Sequence, residues 1–284
     1  MDSPPAGQLV CVGTGMTLAS HLTPLSRSHI ETADVVFSLM SHGLVEKWLA
    51  EMHPDVRSLQ PYYESGPDRL ESYRRMIETM LVEVRRGLRV VGAFYGHPGV
   101  FAYVPHKAIE LARREGFHAH MEPGVSAEDC LIADLGIDPG RVGYQQYEAT
   151  QFMIFERRVD PAAYLVLWQI GVAGDLTSSR FETDRERLEV LVDVLKSHYP
   201  GDHEVVLYEA LTLPVGKPRI DRLPLEDLPQ ARIHLYTTLI VPPGQALVRN
   251  QAVVERLSGI AKQRGQARED THGTPIAAIE GDSR

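Results

Sequence analysis

Residues Ala93–Phe101 read AFYGHPGVF, and this stretch decides the fold. It closes an apolar run, Arg89–Phe94, with Gly96, His97, Pro98 and Gly99 before the chain turns apolar again. Glycine and proline at a strand end mark a backbone shape that few residues adopt, and in open α/β sheets ligands sit outside such strand ends. Two further strand-like runs end the same way, at VGTGM (Val12–Met16) and EPGVSA (Glu122–Ala127). Each alone is an ordinary βα turn. Three on one sheet edge read as a binding site.

Around these turns strand and helix alternate. Leu9–Val12 reads as a strand, Pro24–Ala33 as a helix, and Asp34–Leu39 as a second strand. From Pro67 to Arg86 the apolar residues Leu70, Tyr73, Met76, Ile77, Met80, Leu81 and Val84 recur at spacings of three and four, which predicts an amphipathic helix closed by Gly87. Helix Pro105–Glu115, strand His118–Met121 and helix Ala127–Leu135 follow. The alternation predicts a parallel sheet covered by helices on both faces over residues 1–143.

The pattern changes after Gly143. Tyr147–Phe155, Tyr164–Ile170, Glu204–Ala210 and His234–Val241 read as strands, with one long helix, Asp184–Ser197. Residues 144–245 are expected to form a second α/β domain with a mixed sheet. Residues 246–284 are expected to hold a terminal helix, Ala246–Leu257, and a disordered polar tail beyond Ser258.

Composition narrows the function. Hydrophobic residues at 43% and charged ones at 24% describe an ordinary globular chain with a proper core. A net charge of −9 without a Lys/Arg run argues against nucleic acid or an anionic membrane as partner. Cys11 and Cys130 form no CxxC pair, MDSPPAGQ lacks the features of a signal peptide, and no apolar run is long enough to span a bilayer. A cytoplasmic location is expected. Twelve histidines show no HExxH or other ligand spacing, so no metal is expected.

VGTGMTLASHLTPLSRSHIETADVVFS, YGHPGVF, EPGVSAEDCLIADLGIDPG and TTLIVPP, in this order over roughly residues 8–243, resemble the tetrapyrrole methylase family. The resemblance implies an α/β two-domain class III fold, a parallel-sheet N-terminal domain plus a mixed-sheet C-terminal one. S-adenosyl-L-methionine would lie in the cleft between them and leave as S-adenosyl-L-homocysteine. The family turn Gly-Asp-Pro has His97 in place of its acid here, which weakens a corrin-pathway reading. PLSRSHIETADVVFSL, YGHPGVFAYVPHKAI, QFMIF, LWQI and DHEVVLYEA look like one branch, the borosin peptide backbone α-N-methyltransferases of the split bacterial type.

That likeness implies iterative methylation of backbone amides in a ribosomally made precursor. Because the chain stops soon after its catalytic domain, the precursor is expected to be a separate protein with its own leader or binding domain. A homodimer carrying two precursors, a heterotetramer, is expected. The tail GTPIAAIEG, Gly273–Gly281, is too short a patch to be read as a fused substrate. The competing readings are a small-molecule or tetrapyrrole-type methyltransferase and a non-catalytic protein that binds the donor and a peptide.

The chemistry names its residues. An amide nitrogen is a poor nucleophile because its lone pair is delocalised into the carbonyl. Methylation needs loss of the N–H proton or strong polarisation of the carbonyl toward an imidate, and both build negative charge on the carbonyl oxygen. Arg69 and Tyr73 lie one helical turn apart on a single helix face. A tyrosine, with an ordinary pKa of about 10, acts as a base only with help from a neighbouring cation. Taken singly, Arg69 reads more readily as a surface residue, Tyr73 as a core aromatic and Tyr95 as a strand-end anchor. The resemblance makes Arg69, Tyr73 and Tyr95 catalytic and places Tyr63 near the peptide channel. It assigns the donor to Tyr95, His97, Val100 and Ala102, to Ser126 and Ala127, and, from the second domain, to Gln169, Ala210, Thr237 and Thr238.

Overall fold

In a computed structural model, residues 7–65, 69–176 and 182–272 are described, Glu64, Ser65 and 262–272 by their backbone alone. The first sheet is built from β1 (Gln8–Gly13), β2 (Val35–Leu39), β3 (Val56–Ser58), β4 (Arg89–Phe94) and β5 (His118–Glu122). All its pairings are parallel, in the order β3-β2-β4-β1-β5. Helices α1 (Pro24–Thr32), α2 (Gly43–Met52), α3 (Pro61–Ser65), α4 (Arg69–Arg85) and α5 (Tyr103–Arg114) connect the strands.

The strands' alternation explains both covered faces. Leu9, Cys11, Phe37 and Phe94 pack against Met76, Ile77 and Met80 of α4 and Ala108 of α5. Val10, Val12, Val36 and Val91 point the other way, to Ile30 of α1 and Leu49 of α2. Each fully buried side chain of this kind contributes about 1.5–3 kcal/mol of transfer free energy. The predicted helix start at Pro67 lies outside the described residues. Helix α2, strand β3 and helix α3 were not anticipated from the sequence.

The second sheet holds β6 (Tyr144–Glu148), β7 (Tyr164–Trp168), β8 (Glu204–Glu209), β9 (Arg219–Pro224) and β10 (Thr238–Val241) in the order β6-β7-β10-β8-β9. β6 runs parallel to β7 and the other pairings are antiparallel, so the sheet is mixed. One face is covered by α8 (Ala149–Ile154) and α9 (Arg185–Lys196) through Phe152, Leu188 and Leu191. The other face receives α6 (Ala127–Leu135), whose Leu131 packs on Val166, Trp168 and Tyr208. Tyr208 also donates to Asp134 at 2.7 Å. A short α7 (Pro139–Val142) leads from α6 into β6.

One predicted strand is corrected. Tyr147–Phe155 does not run on as a strand; it breaks at Glu148, whose carboxylate accepts from the backbone N–H groups of Thr150 and Gln151 and caps α8. The run expected as a last helix over Ala246–Leu257 is α10, Gln251–His272, so the backbone stays helical past Ser258; residues 273–284, with the GTPIAAIEG segment, lie outside the described residues. Residues up to Gly244 form one compact unit and those from Gln245 a second. Among the described residues no helix is long and apolar enough to cross a membrane.

Candidate active site

The three glycine turns meet. A Cβ placed on Gly13 would lie 2.5 Å from the Gly96 carbonyl oxygen and 2.7 Å from Gly124 Cα, so only glycine allows these backbones to touch. Gly15 and Gly96 exchange backbone hydrogen bonds of 3.2 and 2.9 Å. The Thr14 hydroxyl donates to the Phe94 carbonyl at 3.1 Å and seals the β4 end.

The second sheet presents its own edge to these turns. Thr238 pairs with Tyr208 and Leu239 with Leu167, so Gln169, Ala210, Thr237 and Thr238 share one edge of that sheet. Three contacts join the edges. Thr17 donates through Oγ1 to the Leu211 carbonyl at 2.8 Å, Leu18 N–H to the Thr212 carbonyl at 3.0 Å, and the rings of Phe101 and Trp168 lie 5.7 Å apart. The residues predicted to hold a donor thus come from two sheets to one place.

Their side chains are not all available to a ligand. Ser126 forms a capping box with Asp129, in which its hydroxyl accepts from the Asp129 N–H and its own N–H reaches the Asp129 carboxylate at 2.7 Å. Thr237 donates to Glu209 at 2.6 Å and accepts from the His234 N–H. Glu209 also takes His234 and Arg219, and these partners hold its carboxyl below the usual range against the opposing pull of burial. His97 accepts from the Gly99 N–H at 2.9 Å, shaping its own turn. What Ser126, Thr237 and His97 offer a ligand is chiefly backbone and shape. Val100, Ala102, Ala127 and Ala210 are half-buried around them.

Strain marks the same region. Among the described residues only Ala19, Phe101 and Gln169 are non-glycine residues at positive φ. Phe101, at 49°, lies in the β4–α5 turn; Gln169, at 59°, follows β7. A left-handed non-glycine residue costs about 1–3 kcal/mol and persists where the surroundings enforce it.

Beside the turns lies a cluster of tyrosines and one arginine. Tyr63 on α3, Arg69 and Tyr73 on α4, and Tyr95 beyond β4 come together from three elements. The Tyr63 and Tyr73 rings sit edge to face at 6.1 Å, and the Tyr103 ring is tilted against that of Tyr73 at 5.7 Å. Burial, with Tyr73 and Tyr95 nearby, pushes the Tyr63 phenol far above its ordinary pKa, a rise only partly offset by Arg69. Tyr95 is 49% exposed, yet its phenol sits among protein atoms, and that desolvation raises its pKa too, with Tyr73 adding. Tyr63 and Tyr95 are therefore neutral hydrogen-bond donors at ordinary pH. Tyr62 turns away, its hydroxyl 2.8 Å from Thr79 Oγ1.

Sequence reasoning missed two members. The Asp175 side chain is 2% exposed and pairs with Arg69 at 3.0 Å. Nothing in its local sequence, GVAGDL, distinguishes it from a turn aspartate. Tyr103 opens α5, two residues before the predicted helix start at Pro105, and no motif singles it out.

Known proteins resemble this chain along most of its length. A methyltransferase/ribosomally synthesized cyclic peptide gymnopeptides precursor from Gymnopus fusipes is 41% identical, covering 90% of this chain and 62% of the relative. The corresponding omphalotin A precursor of Omphalotus olearius is 39% identical, covering 89% and 61%. The chain thus spans about three fifths of the length of these relatives, whose names join methyltransferase and precursor in one protein. By structure, uroporphyrin-III-C-methyltransferase from Thermus thermophilus matches with a TM-score of 0.60 at 20% identity, over 84% of this chain and 93% of that one, which shows the shared fold. The model of the Tetrapyrrole (Corrin/Porphyrin) Methylases matches residues 8–229. With two such sheets, three touching glycine turns and that match, the chain belongs to the tetrapyrrole methylase family.

Proposed function

We propose that this chain is an S-adenosylmethionine-dependent peptide methyltransferase that iteratively α-N-methylates backbone amides of a ribosomally made precursor. The observation that carries the reading is the cluster of Arg69, Tyr63, Tyr73 and Tyr95 beside the Gly96–Ala102 turn. The relatives named as methyltransferase and cyclic peptide precursor support it.

The turns suit the donor by their shape. Gly13, Gly96 and Gly124 bring main chain together where a Cβ would strike backbone, and the N-terminal end of α6 faces the same place. A neighbour of this fold is a uroporphyrin-III C-methyltransferase complexed with S-adenosylhomocysteine. The residues to hold the donor are those of the Gly96–Ala102 turn, the backbone at Ser126 and Ala127, and Gln169, Ala210, Thr237 and Thr238. Bound there, S-adenosylmethionine supplies an electrophilic methyl group.

The chain's own residues do the rest. Arg69, its guanidinium oriented by Asp175, faces the peptide carbonyl oxygen on which negative charge grows; one guanidinium can serve a carboxylate and a carbonyl at once. Tyr63 and Tyr95 keep their protons and donate hydrogen bonds into the site. The amide proton is assigned to Tyr73, which can take it only as phenolate and becomes the neutral phenol on doing so; the Arg69 guanidinium, one helical turn away, favours that anionic form. Following the likeness to the split type, the acceptor is a separate precursor, two copies of which bind a homodimer.

The test is to incubate the purified chain with S-adenosylmethionine and a candidate precursor, then map mass gains by tandem mass spectrometry. Successive methyl steps on precursor backbone amides, lost in Tyr73→Phe and Arg69→Ala, are expected. Methyl groups found only on the chain itself would overturn the separate-precursor part. Donor binding with no methylated peptide would leave a small-molecule methyltransferase or a binding protein.

A further inference from the structure

The scattered spacing of the histidines conceals one grouping. β5 presents His118, His120 and Glu122 on one face, because successive odd positions are hidden from it. That face lies on the side of the sheet covered by α1, since His120 is in register with Val10 and Glu122 with Val12, both packed toward Ile30. His29, in the last turn of α1, comes down onto it. The His29, His120 and Glu122 ligand atoms all lie within 4.8 Å of one another.

We infer that His29, His120 and Glu122 bind a divalent transition-metal cation of the zinc type. Two neutral imidazoles and one carboxylate form a borderline N/O donor set that suits zinc better than calcium or magnesium. His120 Nε2 is 3.1 Å from Glu122 Oε1, and His29 Nε2 is 3.7 Å from the same oxygen. Ligands about 2.0–2.1 Å from one ion stand roughly 3.3–3.4 Å apart at tetrahedral edges and roughly 2.8–3.0 Å at octahedral ones. The His120–Glu122 pair already fits, the His29–Glu122 pair must close by a few tenths of an ångström, and the His29–His120 pair starts within 4.8 Å.

Within the trio, His120 Nε2 and Glu122 Oε1 share a hydrogen bond and the His29 and His120 rings meet edge to face at 5.6 Å, which leaves the His29 Nε2 contact and one His120 nitrogen unexplained. At 3.7 Å His29 is beyond a hydrogen bond to the carboxylate. The buried Nδ1 of His120 has no hydrogen-bond partner among the described residues. The site also lies by the carbonyl end of α1, where positive charge is favoured. The three side chains are 26%, 31% and 19% exposed, so a metal would be reachable from solvent and keep an open position for water. Such an ion would tie the edge strand β5 to α1, just before the Pro123–Gly124 turn that packs on Gly13.

The experiment uses the full chain, free of any affinity tag and stripped with chelator. Zinc is titrated by calorimetry, and cobalt(II) by its visible absorption bands. One zinc per chain at micromolar affinity or tighter, cobalt bands of an N/O site, and a zinc-induced rise in unfolding temperature are expected. Glu122→Gln, which keeps its hydrogen-bonding capacity, and His29→Ala/His120→Ala should weaken binding at least about tenfold and abolish the thermal rise. Their metal-free unfolding temperatures report folding independently. Absence of saturable one-to-one binding overturns the inference, as does wild-type affinity in both variants, which would place the metal on other histidines.

Discussion

Arg69 and Asp175 stand 106 residues apart in sequence and 3.0 Å apart in space, joining the first turn of α4 to the segment after β7. The pair fixes the guanidinium beside Tyr63 and Tyr73. Arg69→Ala should lower the methyl-transfer rate about 10²–10³-fold, the usual cost of losing one oxyanion donor. Asp175→Asn should lower it less, with the donor's Kd unchanged. Both should lose about 1–3 kcal/mol in denaturant unfolding, below the cost for a fully buried pair because Arg69 keeps some solvent contact.

Gly13→Ala should be severe. Its Cβ would meet the backbone of Gly96 and Gly124, which cannot yield as a side chain does. A stability loss of about 1–3 kcal/mol is expected, with donor binding lost in calorimetry. Gly43→Ala is the control: nothing lies within 4 Å of its Cβ, it sits at the start of α2, and a gain of about 0.4–1 kcal/mol is expected.

Gln169 separates strain from function. Its left-handed backbone is costly for glutamine and free for glycine, so Gln169→Gly should stabilise the fold by about 1 kcal/mol. If Gln169 contacts the donor, the same variant binds S-adenosylhomocysteine more weakly. Stabilisation with unchanged affinity would remove Gln169 from the site.

Tyr199 gives a pH signature. Burial, with Asp160 adding, pushes its phenol up to about 12, and its hydroxyl has no partner among the described residues. The folded pKa lies above the unfolded value of about 10, so the folded state holds the proton longer. Its contribution is intact below about pH 10 and is lost as pH rises from there through about 12, on the order of 2 kcal/mol in all. Tyr199→Phe should flatten that decline and leave stability at pH 7 unchanged or slightly higher, as read from urea unfolding at several pH values.

The first sheet was legible because its signals are local. Leu9–Val12, Asp34–Leu39 and Arg89–Phe94 are apolar runs ended by turn residues, and α4 carries a clear helical period. The second half was less so. Glu148 looks like one more polar residue in a strand until its carboxylate caps α8, and β9, RIDRLP, is an exposed edge strand with little apolar pattern.

The site divides the same way. The sequence by itself determined where the chain must turn on glycine, at Gly13, Gly96 and Gly124, and that Arg69 and Tyr73 share a helix face, since backbone freedom and helical period depend on near neighbours alone. Only the tertiary structure decided that Asp175 pairs with Arg69, that Thr237 and Ser126 spend their hydroxyls on Glu209 and Asp129, and that His29 meets His120 and Glu122. Those pairings join residues that the chain separates and packing brings within a few ångströms; a charge or an imidazole acquires its role from what is buried beside it.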